Sequence, residues 1–161
     1  MKQTFRLRPG QYLLFFLGML VTANIFATVA FSSLVSPAFG DFLGGASGRN
    51  FILGTNGAIT GINAGDYISG ATAGSMLITG NGTQSISIQA TNLTASGGVT
   101  IAGVTCNYDA GGDLDCVSGF VGSPPNAQGK TLLIGLEINT TTTHGDNNTA
   151  SPGFDIVVNY I

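Results

Sequence analysis

The last nine residues, Gly153-Phe-Asp-Ile-Val-Val-Asn-Tyr-Ile161, carry an apolar row with a period of two. Phe154, Ile156, Val158 and Tyr160 fall on one parity, and Asp155, Val157, Asn159 and Ile161 on the other. A period of two places one apolar row on one face of a β-strand and excludes a helix, whose faces repeat every 3.6 residues. Side chains that are β-branched or aromatic suit a pleated, half-buried surface. Pro152-Gly153 marks the start of the strand. On this reading the rest of the chain supplies the surfaces against which the strand sits.

The remainder repeats the same signals. Asn50–Gly54 and Ala58–Ile62 flank Thr55-Asn56-Gly57, and Ser75–Thr79 and Gln84–Ala90 flank Gly80-Asn81-Gly82. Asn-Gly between apolar runs predicts two hairpins, because both residues tolerate positive φ. Phe39–Leu43 reads as the first strand. In Gly98–Tyr108 the apolar parity switches at Ala102-Gly103, which predicts a β-bulge. Leu132, Ile134, Leu136 and Ile138 share a face. About eight to ten short strands punctuated in this way predict an all-β fold, an antiparallel sandwich of immunoglobulin-like or pilin-like kind.

Charged residues make up only 8% of the 161, and glycine contributes 25. Three of the five basic residues, Lys2, Arg6 and Arg8, precede a nearly uninterrupted apolar run from Tyr12 to Phe31. A basic segment followed by an apolar one is the pattern of a secretory signal peptide. The expected organisation is a signal peptide over 1–30, a short extension over 31–38 and a β-sandwich over 39–161. Ala30 and Gly40 both end small-x-small cleavage patterns. A retained membrane anchor is the rival reading, because the run approaches the roughly 20 residues that a span needs. Once the leader is removed, Arg49 and Lys130 face eight acidic residues, a net charge of −6. That leaves no basic patch to follow phosphates and argues against a nucleic-acid partner. The expected location is outside the cytoplasm, secreted or at the cell surface by way of the periplasm, with no membrane contact after cleavage.

Cys106 and Cys116 are the two cysteines. In an exported chain a lone pair is most simply a disulfide. Directly opposite each other in a hairpin, they would set Asp109 against Asp113 around an Ala110-Gly111-Gly112 turn. A cross-link over so short a loop is worth about 2–3 kcal/mol in the chain-entropy picture. Asp109, Asp113 and Asp115 would repel one another there, and Ca²⁺ is the one cofactor they suggest. Their spacing, Asp-x₃-Asp-x-Asp, matches no EF-hand loop, so a solvated acidic turn is the preferred reading. His144 stands alone in a polar loop. No nucleophile elbow or phosphate loop is present, and no catalytic residue is assigned.

The motifs Phe39-Gly40, Val99-Thr-Ile101, Cys106-Asn107, Lys130-Thr-Leu-Leu-Ile-Gly135 and the terminal Gly-x-Phe-x-Ile-x-Val-Asn-Tyr160 together resemble an uncharacterised family of bacterial secreted domains. That family is similar to spore-coat-U-like and fimbrial subunits of chaperone–usher systems. The resemblance spans residues 38–161 and implies an incomplete sandwich completed by another strand, with Phe154, Ile156, Val158 and Tyr160 on the assembly strand. The implied partners are other copies or related subunits and a periplasmic chaperone. The segment before the first strand departs from the family pattern: Val29, Phe31, Ser33 and Val35 alternate only briefly before Pro37. The implied function is that of a structural, non-catalytic, pilin-like subunit. The alternatives are an adhesin that binds through loops such as 140–151, and an anchored envelope domain.

Overall fold

A computed structural model describes residues 28–143 and 149–161. Residues 1–27, which make up most of the signal peptide expected over 1–30, and His144 lie outside the described residues. Twelve strands follow in order: β1 Ala30–Val35, β2 Asp41–Phe42, β3 Asn50–Leu53, β4 Ile59–Thr60, β5 Tyr67–Ser69, β6 Gly74–Thr79, β7 Ile86–Thr94, β8 Val99–Tyr108, β9 Asp113–Asp115, β10 Phe120–Gly122, β11 Lys130–Thr140 and β12 Gly153–Tyr160. The only helical element among the described residues is a 3₁₀ turn at Ala64–Asp66. The protein is an all-β sandwich of antiparallel sheets, with seven strands in one sheet and three in the other.

β11 is the spine of the larger sheet. Its Leu132, Ile134, Leu136 and Ile138 are 0, 2, 5 and 7% exposed. Such side chains contribute about 1.5–3 kcal/mol each when fully buried. β8 runs along one side of β11 from Tyr108 opposite Leu132 to Val99 opposite Thr140. The other side is shared. β6 pairs with Lys130–Ile134 and β3 with Leu136–Asn139. The changeover falls at Gly135, where an added Cβ would lie 2.5 Å from the Leu53 carbonyl oxygen. Glycine lets the chain leaving β3 pass over the spine at that point. β1, β4 and β9 extend the sheet outward from β6, β3 and β8.

The smaller sheet is β10-β7-β12. Ile86, Ile88 and Ala90 of β7 are at most 2% exposed and meet the β11 row across the sandwich. Cys116 ties the two sheets together. Its N–H donates to the Val104 carbonyl of the larger sheet, and its own carbonyl accepts from Ala90 N–H of the smaller. A small β2–β5 ladder covers one end, with Phe42 tilted against Phe51 and Tyr67.

Several sequence expectations need correction. The Asn56-Gly57 hairpin forms, with Leu53 opposite Ile59. The Asn81-Gly82 segment is not a hairpin. β6 belongs to the larger sheet and β7 to the smaller, so this segment crosses between layers. Gly80 and Gly82 N–H groups donate to the carbonyls of Asn126 and Pro125 rather than across a turn. Asn-Gly encodes a reversal of direction, and pairing is decided by where the flanking faces are buried. The bulge in β8 is as expected. Glu137 faces Gly103 and Ile138 faces Ile101, which leaves Ala102 as the extra residue. The first strand is β1 rather than Phe39–Leu43, of which only Asp41–Phe42 is strand. The terminal strand is an edge of the smaller sheet and not the centre of the fold.

Candidate interface: the open edge of the terminal strand

β12 pairs on one side only, with β7, from Asp155 opposite Thr91 to Tyr160 opposite Ile86. Among the described residues no strand lies on its other side. The direction of each backbone group follows from the register. Ile161 N–H donates to Ser85 O, while Ala90 N–H, on the opposite parity of β7, turns away to Cys116 O. In an antiparallel ladder, bonded and non-bonded pairs alternate. Val157 and Asn159 therefore bond to β7. Ile156, Val158 and Tyr160 direct their N–H and C=O groups outward, to the free edge.

The side chains tell the same story. Phe154, Ile156, Val158 and Tyr160 pack against the main core cluster but are only half-buried, in contrast to the fully buried row on β7 beside them. Both a line of backbone donors and acceptors and the flank of the apolar row lie open. Natural sheets usually guard such edges with lysine, proline or a bulge. β12 holds one charge, Asp155, and the one irregularity of its ladder, beside Gly153–Asp155, places the extra residue on β7, where Asn92 adopts a positive φ of 52°. From Ile156 to Ile161 it carries none of these guards.

The far end of the strand is pinned. Tyr160 Oη accepts from Asn81 N–H at 3.0 Å. Gly80 lies so close to that hydroxyl that any side chain there would collide with it and with Pro125. At the same corner Thr79 pairs with Ala30, the first residue of β1. β1 is itself an edge strand, and all six of its residues are exposed. Phe31 is 51% and Leu34 67% exposed, and Ser33 adopts a positive φ of 53° where the register slips. The segment expected as a short extension over 31–38 is thus largely strand, its alternation being brief because the strand ends at Val35, before Pro37.

Cys106 and Cys116 form the expected disulfide, with Cα atoms 5.4 Å apart, and both are 0% exposed. They are not directly opposite. Cys106 faces Leu114 and Asn107 faces Asp113, a register two residues away from the expected one. The turn is Asp109-Ala110, both at positive φ, closed by Gly111 N–H donating to Tyr108 O. Two consecutive left-handed residues give a turn whose twist matches that of the flanking strands. The shift separates the three carboxylates. Asp109 pairs with Lys130 at 2.7 Å. Asp113 accepts from Thr55 Oγ1 at 2.8 Å and from Asn107 Nδ2 at 3.0 Å. Asp115 accepts from Ser118 Oγ at 2.5 Å and Val117 N–H at 2.9 Å, which holds its carboxyl below the usual range. Among the described residues no three acidic, histidine or cysteine side chains converge in a way that would hold a metal. The two described cations, Arg49 and Lys130, are each in an ion pair.

Burial, with the Asp109 charge and Tyr160 nearby, pushes the Tyr108 hydroxyl up to about 12, so it remains a donor to Ser123 O at 3.2 Å. On the solvent side of the larger sheet an open recess of about 630 Å³ is lined by Thr55, Asn56, Thr60, Thr105, Asn107 and Asp113 among others. Among the described residues no helix is long and apolar enough to cross a membrane.

Compared with protein-family models, with curated proteins and with solved structures, the chain matches none.

Proposed function

We propose that this protein is an exported structural subunit, without catalytic activity, that assembles by strand addition at the outer edge of β12. The observation that carries the reading is the unguarded edge itself: outward backbone groups at Ile156, Val158 and Tyr160 beside a half-covered apolar row. Pairing another strand there satisfies the backbone and covers the row in one step. The buried disulfide suits an oxidising compartment. The basic segment and apolar run at the N-terminus supply the route out of the cytoplasm. The resemblance to fimbrial subunits supports assembly with other copies or related chains.

Sedimentation of the protein over a hundredfold range of concentration tests this. Val157 is 40% exposed and points away from the core. Val157→Lys therefore adds an edge guard with little cost to folding. The native chain should sediment above monomer mass as concentration rises, and the lysine variant should remain monomeric with an unchanged melting temperature. A native chain that is monomeric throughout, or a lysine variant that assembles as well as the native one, contradicts the proposal.

A second reading, a ligand-binding module, is favoured by the threonine- and asparagine-lined recess beside Asp113. Hydroxyls and amides beside the apolar side chains of Ile52, Leu53 and Ala58 suit a ligand with both polar groups and an apolar face. Amide shifts of Thr105 and Asn107 during titration with small saccharides check it, and the absence of any shift removes it.

A further inference from the structure

We infer that the strand added to β12 is β12 of a second copy, antiparallel, about a two-fold axis at Val157. The inference rests on the assembly reading above and names its partner. It comes from a self-complementarity in the strand. Read outward from Val157 in the two directions, the residues are Ile156 and Val158, then Asp155 and Asn159, then Phe154 and Tyr160. Each position therefore meets its chemical counterpart when the strand is laid antiparallel against itself. On the core-facing side, aliphatic meets aliphatic and aromatic meets aromatic. On the outer side, Val157 meets the partner's Val157, and Asp155 meets the partner's Asn159.

The polar match carries the most weight. Asp155 is the one charged residue on the strand. Like charges directly opposite destabilise a ladder, whereas a carboxylate opposite an amide gains a hydrogen bond. Asp155 Oδ2 accepts from Asn92 Nδ2 at 2.7 Å, which leaves its second oxygen for a partner amide. An axis at Val158 instead would set Asp155 against Ile161 and Asn159 against Val157, polar against apolar. The backbone agrees with the Val157 axis. Ile156 and Val158 direct their groups to the free edge, so each would exchange both bonds with its counterpart. Val157, bonded to β7, would form a non-bonded pair across the axis. The three-stranded sheet becomes a continuous six-stranded one, and the closed symmetry limits the assembly at this edge to a dimer.

Cross-linking of the full chain tests the axis. Both native cysteines are locked in the buried disulfide. A cysteine at Val157 would be the one free thiol, and a non-bonded pair sets Cα atoms about 4.5 Å apart, within disulfide reach. Mild oxidation of Val157→Cys should give a covalent dimer as the main product. Val121→Cys, on β10 at the opposite edge and 65% exposed, should not. Asn159→Asp puts carboxylates opposite each other twice per dimer and should weaken dimerisation at least about tenfold. Asp155→Asn combined with Asn159→Asp swaps the pair and should restore it. Assembly without the Val157 cross-link, or without rescue by the swap, overturns this axis but leaves strand addition standing. A chain that never leaves the monomer overturns both.

Discussion

At the scale of single residues, Tyr160 and Gly80 illustrate how side chains fix the strand whose edge is open. The Tyr160 hydroxyl accepts the Asn81 amide, and Gly80 has no Cβ because that hydroxyl and Pro125 occupy the space. Tyr160→Phe should cost about 1 kcal/mol, the net worth of one hydrogen bond. Gly80→Ala should cost about 1–3 kcal/mol by overpacking. Because the two share one contact, the double variant should be less destabilised than the sum of the singles, and denaturant midpoints of all four proteins measure the coupling. Asp115 offers a second check. Its lowered folded-state pKa means that its bonds to Ser118 and Val117 stabilise the fold above the unfolded value, about 3.9, and are lost as pH falls through the folded value. Ser118→Ala should therefore shrink the stability difference between pH 7 and pH 2, read from urea midpoints. An unchanged difference would show that the contact does not form in solution. The residue scale was also the least legible in sequence. Asn107 opposite Asp113, and Cys116 bonded to both sheets, depend on a register that Ala110-Gly111-Gly112 disguises.

At the scale of elements, alternation identified the strands that mattered most. The β11 row is buried as its pattern required, and the parity switch at Ala102 is a bulge. Periodicity says which face is apolar and does not say which neighbour covers it. β12 was thus readable as a strand but not as an edge, and β6 and β7 were readable as strands but not as members of different sheets. β1 escaped because its residues are exposed and its register slips at Ser33, which removes the pattern. The facing of β12 leads to a paired expectation. Val158→Asp puts a carboxylate on the row that packs against the core and should destabilise by about 2–4 kcal/mol. Val157→Asp, on the outer face, should cost less than about 1 kcal/mol. Thermal unfolding of both variants measures it, and equal losses would mean the assigned facing is wrong.

At the scale of the whole molecule, the two layers are unequal. Seven strands face three, and β12 ends the smaller layer with its apolar row half covered. A further strand beside β12 covers the open flank of that row, whichever chain supplies it. Hydrogen exchange of the backbone amides of β12, followed by NMR at low and at high protein concentration, tests this most directly. Val157, Asn159 and Ile161 bond to β7 and should be protected in both samples. Ile156, Val158 and Tyr160 face outward and should exchange freely when dilute and become protected when concentrated. Protection of these three amides in the dilute monomer, or its absence at every concentration, would contradict assembly through this edge.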